Sequence, residues 1–325
     1  MARILIIGAA GMIGRKLSER LQRERAGELI LHDVVPFEGA SEVSDLSAPG
    51  AAEKLVARRP ETIFHLAAVV SGEAEADFEK GYRINLDGTR RLFEAIRKEG
   101  GGTAGAYRPR VVFASSIAVF GAPFPEAIGD EFLSAPLTSY GTQKAIDELL
   151  LSDYSRRGFF DGIGIRLPTI CVRPGKPNKA ASGFFSGILR EPLAGQEAVL
   201  PVPDTVRHWF ASPRAAIDFL IHASRMNTEL LGARRNLSMP GISATVAEQI
   251  ESLRRVAGEG AVRLIRRQPD PAIMRIVEGW PRNFDARRAL SLGFKPDPSF
   301  DDIIRYHIED ELSPQRNPGA HATRA

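Results

Sequence analysis

The chain has 325 residues, 43% hydrophobic and 26% charged, with 43 Lys and Arg against 40 Asp and Glu. That length suits about two domains, or one large core with an attached lobe, and the composition excludes a disordered, collagen-like or coiled-coil chain. A net charge of +3 defines no nucleic-acid surface, and a single cysteine, Cys171, excludes internal disulfides and structural cysteine-cluster zinc.

The longest uncharged apolar run, residues 4–14, is well short of the roughly 20 residues a membrane-spanning helix needs. Its three glycines suit a phosphate loop better than a signal peptide. The expectation is a cytoplasmic protein with no membrane and no nucleic-acid partner. Strand patterns follow at residues 3–7, 28–35, 62–68, 110–114 and 162–168. Helical spacing fills residues 15–24, 51–58, 85–98 and 140–154 between them. Strands alternating with helices predict an α/β fold: a doubly wound parallel Rossmann sheet, with ligands at the C-terminal ends of its strands. After about Leu167 the prolines multiply and the alternation ends. We read residues 1–170 as a cofactor-binding sheet domain with a return near 205–225, and residues 171–313 mainly as a smaller substrate-binding lobe. Residues 100–105 read as a surface loop and residues 314–325 as a tail with no apolar anchor.

Gly8-Ala-Ala-Gly11-Met12-Ile13-Gly14 follows the first strand and opens the first helix. That context places backbone N–H groups and a helix N-terminus where a pyrophosphate can sit. Asp33 ends the second strand, 19 residues beyond Gly14. A carboxylate there accepts from ribose hydroxyls and repels a 2′-phosphate, which favours NAD over NADP. Asp45 and Leu46 are candidates for the adenine end of the same site.

Tyr140-Gly-Thr-Gln-Lys144 places a phenol and an ammonium one helical turn apart on one face. A free tyrosine, with a pKa of about 10, is too weakly acidic to serve as a base at neutral pH. A neighbouring cation stabilises the phenolate, which then accepts an alcohol proton. Ser115-Ser116 ends the fourth strand, on the same side as the glycine loop.

The glycine loop, Asp33, His65-Leu-Ala-Ala68, Asn85, Ser115-Ser116 and Tyr140-x-x-x-Lys144 occur in an order that resembles the extended short-chain dehydrogenase/reductases, the nucleotide-sugar epimerase/dehydratase group. The resemblance spans nearly the whole chain. It implies Ser116, Tyr140 and Lys144 as the catalytic set, with Asn85 supporting the lysine. It implies Leu66, Ala67 and Ala68 along the cofactor, and Pro168 and Ile170 near the nicotinamide. Phe120-Gly121, Arg207-His208-Trp209 and the stretch Arg166–Gly175 depart from the patterns usual for nucleotide-sugar enzymes. Together with SSIAVFG, SYGTQK and VRHWFAS, they look most like the D-erythronate dehydrogenase group, NAD-dependent enzymes of sugar-acid catabolism. That likeness implies oxidation of the C2 hydroxyl of a small sugar acid, D-erythronate to 2-dehydro-D-erythronate. Arg173 and Arg207 are then candidate carboxylate anchors, since guanidinium matches carboxylate bidentately. Lys176, Asn178 and Lys179 add donors, and Ser71, Ser116 and Ile117 are candidate substrate contacts. His208 reads as packing beside Trp209, and Cys171 as a small core or pocket-wall residue. Acid and histidine spacing predicts no metal site. The alternatives are a nucleotide-sugar epimerase, which gives no net NADH, and a non-catalytic NAD-binding sensor. Family habit suggests a homodimer built on the Asn85 and Tyr140 helices.

Overall fold

The computed structural model describes residues 1–101, 107–175 and 181–313. Residues 102–106 of the glycine-rich loop, the cluster Lys176, Asn178 and Lys179, and the tail from residue 314 lie outside the described residues.

The β-branched run at the start forms β1 (Arg3–Ile7), its last four residues buried. It leads into α1 (Met12–Arg23), which buries Gly14, Leu17, Ser18 and Leu21 along one stripe and leaves its charges outside. In chain order follow β2 (Glu28–Asp33), β3 (Glu42–Val43), α2 (Ala51–Val56), β4 (Thr62–His65), α3 (Ser71–Ala76) and α4 (Phe78–Gly81). A π-helical turn (Tyr82–Asp87) then runs into α5 (Gly88–Glu99), followed by β5 (Arg110–Ser116), α6 (Ser139–Arg156) and β6 (Asp161–Leu167). The strands form a seven-stranded sheet in the order β10-β6-β5-β4-β1-β2-β3, where β10 is Asn236–Ser238. Every pairing in it is parallel. This is the doubly wound α/β fold that the alternation predicts.

Two strands end earlier than their apolar runs suggest. β2 stops at Asp33 because its carboxylate accepts from Val35 N and Ala10 N, turning the chain. β4 stops at His65 because Leu66 N and Ala67 N both donate to Ile7 O, which doubles the chain back against β1. The pattern did not reveal β3 or β10, which have two and three residues and are defined by their partners alone.

Beyond β6 the chain forms β7 (Thr169–Ile170), α7 (Gly183–Leu193), β8 (Ala198–Leu200), β9 (Arg207–Ala211) and α8 (Pro213–Arg225). After β10 come β11 (Ile242–Thr245), α9 (Val246–Ala257) and β12 (Ile265–Arg267). A three-stranded sheet, β11-β9-β7, and the pair β12-β8 carry a second core built on Phe185, Phe210, Leu253, Phe300 and Ile304. α8 starts where Ser212 Oγ accepts from Ala215 N at 3.0 Å and Pro213 takes the first helical turn. Its apolar face, with Ala216, Phe219 and Leu220, packs into the core of the large sheet beside Leu17, Ile163 and Leu237. No helix among the described residues is long and apolar enough to cross a membrane.

Candidate active site

From β1 the chain winds outward to β2 and β3, then returns to the other side of β1 to build β4. That reversal opens a crevice at the C-terminal ends of β1 and β4. Gly8, at a φ of 93°, floors it: a Cβ there would lie 2.6 Å from Ala67 N. A Cβ on Gly14 would lie 2.1 Å from Gly8 O, so loop and helix can close this tightly only around two glycines. Gly11 caps α1 without a side-chain partner, and the first turn holds no acid. Its N–H groups and the positive end of the dipole are therefore available to an anion. Gly11, Met12, Ile13 and Gly14 line a crevice of about 370 Å³ with Leu66 and Ala68, while Ala67 packs toward the core. Asp33 Oδ2 accepts from Ala10 N at 2.9 Å, so this acid also pins the loop. Asp45 is committed to Ser47 and to Arg83, and Leu46 is buried in the core beside the sheet.

At the far wall, α6 begins with Thr138 accepting from Gly141 N. Tyr140 and Lys144 then share a face and both reach the crevice, with Ser116, Pro168 and Ile170. Lys144 Nζ donates to Ala114 O at 2.9 Å and lies 4.4 Å from the centroid of the Phe113 ring. Burial pushes its pKa down, opposed by Asp147 and Glu148. Burial pushes the Tyr140 phenol up, opposed first by the Arg173 guanidinium and then by a hydrogen bond from Ser116. Arg173 is thus a cation beside Tyr140 that the sequence pattern does not offer, while Lys144 Nζ lies 5.9 Å from the Tyr140 ring centroid and keeps two N–H donors beyond the one given to Ala114 O.

Asn85 sits in the π-helical turn, a conformation often retained where a site needs it. Its Oδ1 accepts from Val69 N at 2.8 Å, and its Nδ2 donates to Val69 O and to Gln143 Oε1. It thus ties the loop after β4 to the residue preceding Lys144. Ser115 points the other way, donating to Glu148 Oε1 at 2.6 Å. Glu148 in turn takes a bidentate bond from buried Arg166.

A second cavity, of about 160 Å³, opens off the crevice. Ser71, Ser116, Ile117, Tyr140 and Arg173 all line it. Arg207 does not: it bonds to Ser243 O and pairs with Glu248 at 3.3 Å on another face. Strand alternation explains this, because neighbouring residues on β9 point to opposite sides. His208, read from sequence as packing, is the residue on the cavity wall, with Thr169 from β7 and Trp280. Trp280 lies far along the chain and no local pattern marks it. Arg190 was also missed; it lines the crevice and donates to Arg173 O at 2.9 Å.

The glycine cradle, the uncapped helix start and the facing Tyr140 and Lys144 fit a dinucleotide. The chain belongs to the NAD dependent epimerase/dehydratase family, whose model matches residues 4–213. It is 46% identical to D-erythronate dehydrogenase from Cupriavidus necator, over 94% of this chain and 98% of that one. It is 40% identical to D-erythronate dehydrogenase from Haemophilus influenzae, over 95% of this chain and all of that one. The crystal structure of the nucleoside-diphosphate-sugar epimerase from Agrobacterium tumefaciens is 66% identical and superposes with a TM-score of 0.91, covering 96% of this chain and 94% of that one.

Proposed function

We propose that this protein is an NAD-dependent dehydrogenase that oxidises the C2 hydroxyl of a small sugar acid, with D-erythronate as substrate and 2-dehydro-D-erythronate as product. The observation that carries the reading is Arg173. Its guanidinium is largely buried in the smaller cavity, acts on Tyr140, and pairs with no carboxylate among the described residues. A buried charge without a partner is costly. A substrate carboxylate supplies the partner, in the bidentate form that guanidinium prefers. Arg173 and Tyr140 share one small cavity, so a carboxylate and a hydroxyl of the same small acid can meet them together.

Gly8, Gly11, Gly14, Leu66 and Lys144 hold the dinucleotide, and Asp33 favours NAD by repelling a 2′-phosphate. Bound NAD supplies the acceptor for the hydride that leaves C2. Tyr140, as the phenolate, takes the hydroxyl proton. Ser116 orients that hydroxyl and supports the phenolate. Arg173 fixes the acid so that C2 faces the cofactor, and Asn85 holds α6 in register with the loop after β4. The likeness to an enzyme called a nucleoside-diphosphate-sugar epimerase favours a second reading. The cavity size speaks against it, since about 160 Å³ is small beside the roughly 300–1,000 Å³ of pockets for larger ligands. The same reading places the protein in the cytoplasm as a homodimer built on α5 and α6, with Leu149, exposed on α6, in the interface. Sedimentation analysis tests the dimer.

The test of function is NADH formation, followed by absorbance, with purified protein and NAD⁺ across three- to six-carbon sugar acids including D-erythronate and L-threonate. A selective signal with D-erythronate is expected. Silence across the panel refutes the reading, and redox-neutral conversion of a UDP-sugar replaces it with the epimerase.

A further inference from the structure

The smaller cavity carries a polar device that the proposed reaction does not use. Thr169 on β7 pairs with Phe210 on β9, and His208, two residues earlier, shares that face. Thr169 Oγ1 lies 2.7 Å from His208 Nε2, and His208 Nδ1 lies 2.8 Å from Pro281 O. The histidine is clamped, stacked on Phe185 at 5.2 Å and an interplanar angle of 3°, with Trp280 at 5.4 Å.

These contacts fix the direction of every proton in the chain. A carbonyl oxygen only accepts, so Nδ1 carries the hydrogen and donates to Pro281 O. Burial holds the imidazole pKa down at about 4, so the ring is neutral and Nε2 is bare. The Thr169 hydroxyl must then donate to Nε2. Its own proton is spent, so its oxygen has only lone pairs to offer a ligand. Thr169 and His208 line the same cavity as Tyr140 and Arg173. A ligand atom meeting Thr169 must therefore bring a hydrogen of its own.

We propose that Thr169, polarised by His208, is the acceptor for a second substrate hydroxyl and selects polyhydroxylated acids over their deoxy counterparts. This rests on the sugar-acid reading above. Arg173 takes the carboxylate, Tyr140 and Ser116 take the hydroxyl being oxidised, and Thr169 takes a hydroxyl farther along the chain. A methylene in that place leaves the acceptor desolvated and unpaired, and buried polar groups left unpaired discriminate strongly.

The experiment compares wild type, Thr169→Val and Thr169→Ser on D-erythronate and on 2-hydroxybutyrate, which has no hydroxyl beyond C2. Valine keeps the shape and removes the acceptor; serine keeps the acceptor. NADH titration of each variant verifies that the fold and crevice survive. The expected result is a loss in kcat/KM of about ten- to a hundredfold for Thr169→Val on D-erythronate, with 2-hydroxybutyrate changed less than about twofold and Thr169→Ser close to wild type. An equal loss on both acids makes Thr169 a structural residue and overturns the proposal, as does no loss on either. If wild type oxidises no sugar acid, the functional reading fails first and takes this proposal with it. If wild type oxidises D-erythronate and the variants show no selectivity change, only this proposal fails.

Discussion

Replacing Arg173 with methionine tests the carboxylate anchor most directly. The substitution keeps an unbranched, flexible stem and removes the charged guanidinium. It leaves the local backbone tied, because Arg173 N donates to Ser186 Oγ at 3.0 Å and Arg173 O accepts from Arg190 at 2.9 Å. Removing one partner of a buried, hydrogen-bonded charge pair costs about 2–5 kcal/mol. At 1.36 kcal/mol per factor of ten, kcat/KM for D-erythronate should fall by roughly 30-fold to several thousand-fold. Initial rates on D-erythronate and on its uncharged amide separate this effect from general damage. Wild type should discriminate strongly between them, and the methionine variant should treat them nearly alike.

The same variant carries a second, independent signature. In the native site Arg173 opposes the upward push of burial on Tyr140. Without it the phenol pKa rises further. Oxidation requires the phenolate, so activity appears as pH rises through that pKa, and the limb must move toward higher pH in Arg173→Met. Arg173→Lys keeps the charge but loses the fork, so it should recover the position of the limb better than the affinity. A loss shared equally by acid and amide, or a limb that stays or moves toward lower pH, refutes the assignment.

Three further outcomes follow from the geometry. Tyr140→Phe should lower turnover by about 10²–10⁴-fold while NADH binding persists in a fluorescence titration, because only the acid/base hydroxyl is lost. Gly14→Ala sets a methyl 2.1 Å from Gly8 O, so NADH affinity should fall at least about tenfold in the same titration even where the protein stays folded. Glu148→Ala leaves Arg166, whose side chain is only 10% exposed, without its bidentate partner. Urea denaturation should show a loss of about 3–5 kcal/mol, and a change under 1 kcal/mol would mean that solvent reaches this pair after all.

Much of the sheet was legible because its strands are continuous apolar runs separated by amphipathic helices, and such runs keep their character wherever the chain goes. β10 was not, because Asn-Leu-Ser becomes a strand only by lying beside β6. The crevice was legible because a close backbone approach needs glycine at fixed spacing, and Tyr140 and Lys144 lie one turn apart on a single helix. The substrate cavity was only partly legible, because it is assembled from β5, α6, β7, β9 and the segment holding Trp280. Arg207 and His208 show the limit sharply. They are adjacent in sequence and the arginine has the chemistry for a carboxylate, yet strand alternation turns it away and brings the histidine in. Their relative directions are fixed by the pairing of β9 with β11 and β7, which no local spacing records.

The positions of the cations explain how one tyrosine can serve both partners of the reaction. Lys144 lies on the crevice side, held by Ala114 O and the Phe113 ring, in the crevice that the glycine loop also lines. Arg173 is shared by the crevice and the smaller cavity, and its charge favours the Tyr140 phenolate. A carboxylate arriving at Arg173 neutralises the charge that had been drawing the Tyr140 pKa down. The Tyr140 pKa then rises, so the phenolate is a stronger base but is less populated at any pH below that pKa, and general-base rates gain less from basicity than they lose in population. Binding an acid therefore gives no advantage in the proton-transfer step over an uncharged alcohol of the same shape. The preference for acids lies in binding, and it should appear in KM rather than in kcat.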